Sequence, residues 1–267
     1  MNILIPMAGA GKRFSDAGYK IHKPLIPTTD LADGKQYPMV VCAVRDIFKL
    51  CGAGKVIFVD RIDGNTSTRG QILRYLPDSI FVGVDHLTEG QACSCLLAEK
   101  YIDNDESLFI GGCDNGMVAS SQLFKERMSL ADVLVFTYRH NDCVVDNPNA
   151  YGWVMTDDGI HAKGVSVKKA LSDTPMEDHA IVASFWFKHG ADFVRCAKEM
   201  IKQNDRINNE FYVDQVMKYC LLSNLDVQIF EIERYLGWGT PSDYENYENT
   251  IQYWKLFIEK ELFCTNS

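Results

Sequence analysis

Short, strand-like, mainly apolar runs recur through the first half of the chain, at 3–6, 55–60, 79–84, 107–112 and 132–138. Helix-patterned segments separate them, at 38–51, 69–76, 89–102 and 121–128. A strand that does not alternate apolar with polar residues has no face left for water. Such runs therefore predict a mostly parallel sheet with helices covering both sides. In open sheets of this kind, ligands bind beyond the carboxyl ends of the strands. Two segments fall on that edge: Gly9-Ala10-Gly11-Lys12-Arg13 behind the first strand and Gly112-Cys113-Asp114-Asn115-Gly116 behind the fourth.

The pattern changes after residue 138. The stretch YGWVMTDDGIHAKGVSVKK predicts two antiparallel strands around Asp157-Asp158-Gly159. AIVASFWF predicts a further strand, helices follow near 190–203 and 210–223, and DVQIFEI is a last strand. A final helix starts near Pro241. No repeat, low-complexity tract or linker interrupts the 267 residues. They are expected to form one domain, with 1–138 as one half, 139–267 as the other, and a sheet continuous between them.

The formal net charge of −9 argues against nucleic acid or an anionic membrane as the main partner. An anionic small molecule would then need locally concentrated cations, which gives Lys12-Arg13 more weight than in a basic chain. The nine cysteines are odd in number and scattered, with no C-x-x-C, and the six histidines lack metal-ligand spacing. They are expected to be reduced thiols of a cytoplasmic protein. The amino terminus lacks the basic region of a leader, and no apolar run approaches a membrane span.

The glycine loop fits neither common phosphate-binding fingerprint. Pro6 stands where a P-loop needs its first glycine, and Arg13 stands where it needs a hydroxyl residue. Phe14 occupies the third glycine position of a dinucleotide fingerprint. What remains is a loop whose N–H groups can approach an anion closely and which carries two cations. A glycine turn with a solvated basic pair would look the same. Asp114, at a strand end, could hold Mg²⁺ through hard oxygen ligands or simply cap a turn. Lys23 is presented from His22-Lys23-Pro24-Leu25-Ile26-Pro27, held extended by two prolines. Gly90 and Gln91 open a helix whose N–H groups and side-chain amide could read a flat heterocycle, or form a plain cap.

In this order the motifs resemble those of the sugar-1-phosphate nucleotidylyltransferases, the pyrophosphorylase superfamily. The matching segments are Gly9-Ala10-Gly11-Lys12-Arg13, Lys23-Pro24-Leu25-Ile26-Pro27, Lys35-Gln36-Tyr37-Pro38-Met39, Glu89-Gly90-Gln91-Ala92, Asp114, Tyr151-Gly152 and Gly239-Thr240-Pro241. The likeness runs from residue 2 to about 250. It implies a Rossmann-like (GT-A type) mostly parallel central sheet flanked by helices, with an antiparallel acceptor-binding extension. It also implies a Mg²⁺-dependent enzyme that joins a nucleoside monophosphate from an NTP to a phosphorylated small-molecule acceptor and releases pyrophosphate. Arg13 and Lys23 would be catalytic, on the leaving β,γ-phosphates and the α-phosphate. Met7, Ala8, Gly9, Ala10, Gly11, Lys12, Glu89, Gly90 and Gln91 would bind the nucleotide, and Tyr151, Gly152, Lys168 and Lys169 the acceptor. Asp114 would hold the metal. No nucleic-acid or membrane partner is implied, and homo-oligomerisation is left open.

Two positions depart from the family pattern. Gly237 stands where a second metal aspartate is usual, which makes Asp214 in NEFYVDQ the candidate replacement, against a plain solvated helix residue. Lys168-Lys169-Ala170 stands where Glu-Lys-Pro is usual. A cation in place of a hydroxyl acceptor would suit an acceptor with a second anionic group, although a solvated turn is also compatible. GAGKRF, EFYVDQ and WGTP lie closer to the capsule-type cytidylyltransferases, which act on phosphocholine or on phosphorylated amino acids such as phosphoglutamine. CTP and a role in surface-polysaccharide precursors follow as expectations. The alternatives are a glycosyltransferase on the same fold, disfavoured by the single aspartate of CDNGM, and a non-catalytic nucleotide-binding protein.

Overall fold

The computed structural model describes residues 1–62 and 66–264, without the side chains of Thr66 and of 259–264. The chain opens with β1 (Asn2–Pro6), α1 (Lys12–Asp16), the hairpin β2 (Pro27–Thr29) and β3 (Gln36–Pro38), and α2 (Met39–Cys51). Next come β4 (Lys55–Arg61), α3 (Thr66–Leu73), β5 (Ile80–Val84), α4 (Gln91–Leu96), α5 (Glu99–Ile102) and β6 (Leu108–Ile110). The middle contains β7 (Asn115–Val118), α6 (Ser121–Met128), β8 (Val133–Tyr138), β9 (Gly152–Met155), β10 (Gly164–Val167) and β11 (His179–Phe187). The last elements are α7 (Gly190–Lys202), α8 (Val213–Leu222), β12 (Val227–Glu231), β13 (Arg234–Gly237) and α9 (Pro241–Cys264).

One nine-stranded sheet runs through both halves, in the order β10-β9-β11-β6-β1-β4-β5 with β8 and β12 branching from β11. β5, β4, β1 and β6 are mutually parallel, while β8, β6 and β9 all pair antiparallel with β11. This is the expected mixed α/β architecture: a parallel core, helices on its faces and an antiparallel extension. Alternate residues of each core strand feed opposite layers. Leu4, Ile57, Val59, Leu108 and Ile110 pack on one side, and Ile3, Ile5, Val56, Phe58 and Phe109 on the other. A strand buried on both faces can carry apolar residues throughout, which is why these runs are unbroken.

β11 holds two neighbours at each end because it is bulged. Phe185–Phe187 lie between β6 and β8, Ala180 lies between β8 and β9, and the register shifts between Ile181 and Phe185. Ala183, at the shift, has φ 57°, a left-handed conformation uncommon for a residue with a Cβ. A bulge bends a strand and re-aims it. Here it bends β11 away where β6 stops, leaving the exit that residues 111–114 take.

The hairpin around Asp157-Asp158-Gly159 forms as β9 and β10, with Met155 opposite Gly164. The segment 89–102 is two helices rather than one, divided at Leu97–Ala98, where Ala98 N–H donates to Cys95 O at 3.0 Å. Two ribbons of three- and four-residue strands, β2–β3 and β7–β13, have no counterpart in the sequence-based expectation. The second places Gly237 opposite Asn115, beside Asp114. No described helix is long and apolar enough to cross a membrane.

Candidate active site

A cleft of about 540 Å³ opens at the carboxyl edge of β1 and β6. The loop leaving β1 forms one wall. Met7 N–H still donates to Val59 O at 2.8 Å, and Gly11, at φ 61°, turns the chain into α1. A Cβ on Gly11 would lie 3.5 Å from Lys23 Cβ. Phe14 anchors α1 from below, 1 % exposed and edge-on to Tyr19 and Tyr244. Lys12 and Arg13 stay exposed at the cleft, and among the described residues neither makes an ion pair.

Lys23 crosses beneath this loop. Its Nζ donates to Asp114 Oδ2 at 2.6 Å and to Gly239 O at 2.9 Å, and lies 5.1 Å from the Phe14 ring centroid. Asp114 is fixed from its backbone as well, its carbonyl accepting from Trp238 N–H at 3.0 Å. The ribbon β7–β13 thus joins the Gly237–Thr240 segment to the strand-end aspartate. The Asp114 side chain is one-third exposed, and among the described residues no protein donor reaches its Oδ1. Neighbouring Cys113 is half-buried at the edge of the cleft, and loss of solvation pushes its thiol up to about 12.

The opposite wall is the segment 87–94. Thr88 and Ser94 hydroxyls share a 2.6 Å hydrogen bond, and Gly90 O lies within reach of both, at 3.1 and 3.3 Å, to accept the remaining proton. That leaves the Gln91 amide as the polar side chain facing the cleft without a protein partner among the described residues. Glu89 is placed otherwise than the sequence suggests. Its carboxylate meets Arg206 at 3.2 Å instead of lining the cleft. Gly90, at φ 132°, is required by the protein itself, because a Cβ there would meet the Phe211 backbone at 2.5 Å.

The remaining predicted residues gather beside the cleft, around Arg13. Electrostatic interaction links Arg13 to Tyr151, Tyr212 and Lys168. Tyr151 donates to Cys143 O at 2.8 Å. Gly152 has no side chain because the Asp214 carboxylate occupies that space. Lys168 sits at φ 57°, bonds Ala150 O through Nζ, and lies 5.3 Å from the Tyr212 ring centroid. Burial lowers its ammonium pKa, with Asp214 opposing. Asp214, in the first turn of α8, is pushed up to about 6 by burial, with Lys168 restraining the rise. Lys169 is exposed, its carbonyl taken by Ser166. Asp114 and Asp214 therefore face different lysines. Among the described residues, no three His, Cys, Asp or Glu side chains cluster as metal ligands would.

Three residues at this site were not anticipated: Arg206, Glu210 and Tyr212. Glu210 lines the cleft from the end of a tight turn, in which Ile207 and Glu210 exchange both backbone hydrogen bonds at 3.0 and 2.9 Å. Asn208 and Asn209 occupy the turn at φ 50° and 63°, the type I′ geometry that asparagine tolerates. The Asn-Asn pair was the available signal.

No protein-family model matches the chain, and no curated protein matches it in sequence. Solved structures do match in shape. A nucleoside-diphosphate-sugar pyrophosphorylase from Vibrio cholerae superposes with a TM-score of 0.73 at 17% identity, over 92% of this chain and 98% of that one. An inositol-1-phosphate CTP transferase from T. maritima gives 0.68 at 15% identity, over 92% and 93%. A UDP-glucose pyrophosphorylase complexed with UDP-glucose gives 0.67 at 16% identity, over 95% and 98%. At such identities the likeness is one of fold, and it extends over nearly the full length of each chain: this protein has the Rossmann-like α/β fold of those structures.

Proposed function

We propose that this chain is a nucleotidyltransferase. It moves a nucleoside monophosphate from an NTP, with CTP favoured, to a phosphorylated small-molecule acceptor and releases pyrophosphate, in the making of surface-polysaccharide precursors. The observation that carries this is the cleft's arrangement of charge. An exposed Lys12-Arg13 pair, without ion partners among the described residues, lines the same cleft as Lys23, which is already bound to the carboxylate at the strand end. The fold neighbours, one of them a CTP transferase, support the same reaction class.

Asp114 fits a Mg²⁺ ion, since that ion is commonly held by one or two carboxylates plus substrate phosphates and water. Among the described residues Asp114 offers an Oδ1 without a protein donor, and Gly237 leaves the neighbouring strand position without a side chain. Bound there, Mg²⁺ would neutralise phosphate charge. The protein's own work is positioning and charge stabilisation. Loop N–H groups with Lys12 and Arg13 hold the β,γ-phosphates. The acceptor's phosphate oxygen attacks the α-phosphorus, the new P–O bond forms as the bond to the β-phosphate oxygen breaks, and pyrophosphate departs. Lys23 stabilises the charge on the α-phosphoryl oxygens, and its tie to Gly239 O keeps it in place. Tyr151, Gly152 and Lys168 flank Arg13 on the side from which the acceptor would approach. Lys168 there favours an acceptor with an anionic group besides its phosphate.

Pyrophosphate release with Mg²⁺ tests this, crossing CTP, UTP, dTTP, ATP and GTP against hexose 1-phosphates, phosphocholine and phosphoglutamine. Release with one pair supports the proposal and names both substrates. No release by folded protein across the grid would refute it.

A further inference from the structure

Arg206 gathers the segment between α7 and α8 into a single piece. Its Nε donates to Asn204 Oδ1 at 2.6 Å, Nη1 to Asn209 O at 3.4 Å, and Nη1 and Nη2 to the Glu89 carboxylate at 3.2 Å. Its guanidinium carbon lies 4.3 Å from the centroid of the Phe211 ring, which is fully buried. An exposed ion pair is worth little alone. This one differs because a planar fork is committed on its edge and its face together.

Phe211 is the other half of the contact. Its N–H donates to Glu89 O at 2.8 Å, and its carbonyl accepts from Ala92 N–H at 2.9 Å. These bonds straddle Gly90, whose missing Cβ lets the two backbones meet. Arg206 thus pins segment 89–92, which carries Gln91 into the cleft, to the strap 204–212, which carries Glu210 into the same cleft and Tyr212 beside Arg13.

We infer that Arg206 is a positioning residue for nucleotide selection: through Glu89 and Phe211 it holds Gly90-Gln91 at the spacing that reads the base. The inference rests on the nucleotidyltransferase proposal, and it assigns the Glu89 carboxylate to this clasp and not to the nucleotide. Neither Glu89 nor Arg206 lines the cleft, so their loss acts on binding and on discrimination between bases ahead of the chemical step.

The test compares wild type with Arg206→Met, Arg206→Lys, Glu89→Gln and the Arg206→Met/Glu89→Gln double variant. Calorimetry with Mg²⁺ reads affinity for CTP, UTP and ATP, and hydrogen exchange reads the Ala92 and Phe211 amides. Arg206→Met is expected to weaken the preferred nucleotide by roughly three- to tenfold and the others less, narrowing the preference, as for a modest coupling between groups in contact. Arg206→Lys should recover part of the preference. The double variant should be no worse than the poorer single one. Faster exchange at Ala92 and Phe211 should accompany the loss. Unchanged exchange there, or a lower melting temperature with the base preference intact, would overturn the positioning role and leave the proposed reaction standing. A wild type that binds neither these three nucleotides nor dTTP or GTP would overturn the reaction itself, and the exchange readout would still report on the clasp.

Discussion

Lys23 and Asp114 are bound to each other before any substrate arrives. A 2.6 Å ion pair with the lysine side chain only 14% exposed holds both groups aimed at one point. Preorganised charge of this kind is worth most in a site that partly excludes water. Asp114→Asn and Lys23→Met are each expected to lower kcat for pyrophosphate release on the order of 10²–10³-fold. Melting temperatures recorded alongside separate lost chemistry from lost folding. Gly90 makes a contrasting case. Alanine there would carry a Cβ into the Phe211 backbone at a φ of 132°, so nothing flexible can give way. Gly90→Ala should cost about 1–3 kcal/mol from backbone strain alone, measured by denaturant unfolding. Nucleotide affinity should fall with it, because the segment that carries Gln91 has to move. An unchanged unfolding midpoint would show that the close approach to Phe211 is not kept in solution.

Among elements, β11 ties the most together, and its first residue gives it a pH dependence. His179 is buried and meets Thr137 Oγ1 at 3.0 Å through Nδ1. Burial lowers its pKa, helped by Arg139, while Glu231 and Asp178 oppose and His140 adds to the lowering. The unfolded chain, with an ordinary histidine near 6.5, then binds more protons than the folded one just below that pH. Stability from this group is complete above 6.5 and is lost as pH falls toward the lowered folded value. His179→Gln should flatten the slope of melting temperature against pH in that window, and an unaltered slope would assign the dependence elsewhere. The sequence displays β1, β4, β6 and β8 plainly because burial on both faces leaves each with a nearly continuous apolar run. β2, β3, β7 and β13 are too short to show a period, and their partners lie in ribbons outside the main sheet. The site divides in the same way. Gly11, Lys23 and Asp114 are legible because each adjoins a recognisable strand or proline pair. Arg206 is not, since its meaning lies in contact with a segment 117 residues away.

For the molecule as a whole, the decisive fact is how the second half completes the first. Residues 1–138 contain β1, β4, β5 and β6, yet the outer edge of β6 is closed only by Phe185–Phe187 of β11. The layer over Leu4, Ile57 and Ile110 includes Phe185, Phe193, Met200, Phe211 and Val216, all from the second half. Phe211 also holds segment 89–92 by two backbone hydrogen bonds. A fragment ending at 138 would therefore expose an unpaired strand edge and an uncovered apolar layer, which are features that drive aggregation. Residues 1–138 expressed alone should lack near-ultraviolet circular dichroism and bind no nucleotide, while the full chain melts in one transition. Circular dichroism and loss of nucleotide binding should follow the same curve, as a single cooperative unit requires. Two separated transitions, or a soluble 1–138 fragment that still binds CTP, would mean that the nucleotide half holds its fold alone. The role given to β11 and the strap would then shrink to that of an attached second unit.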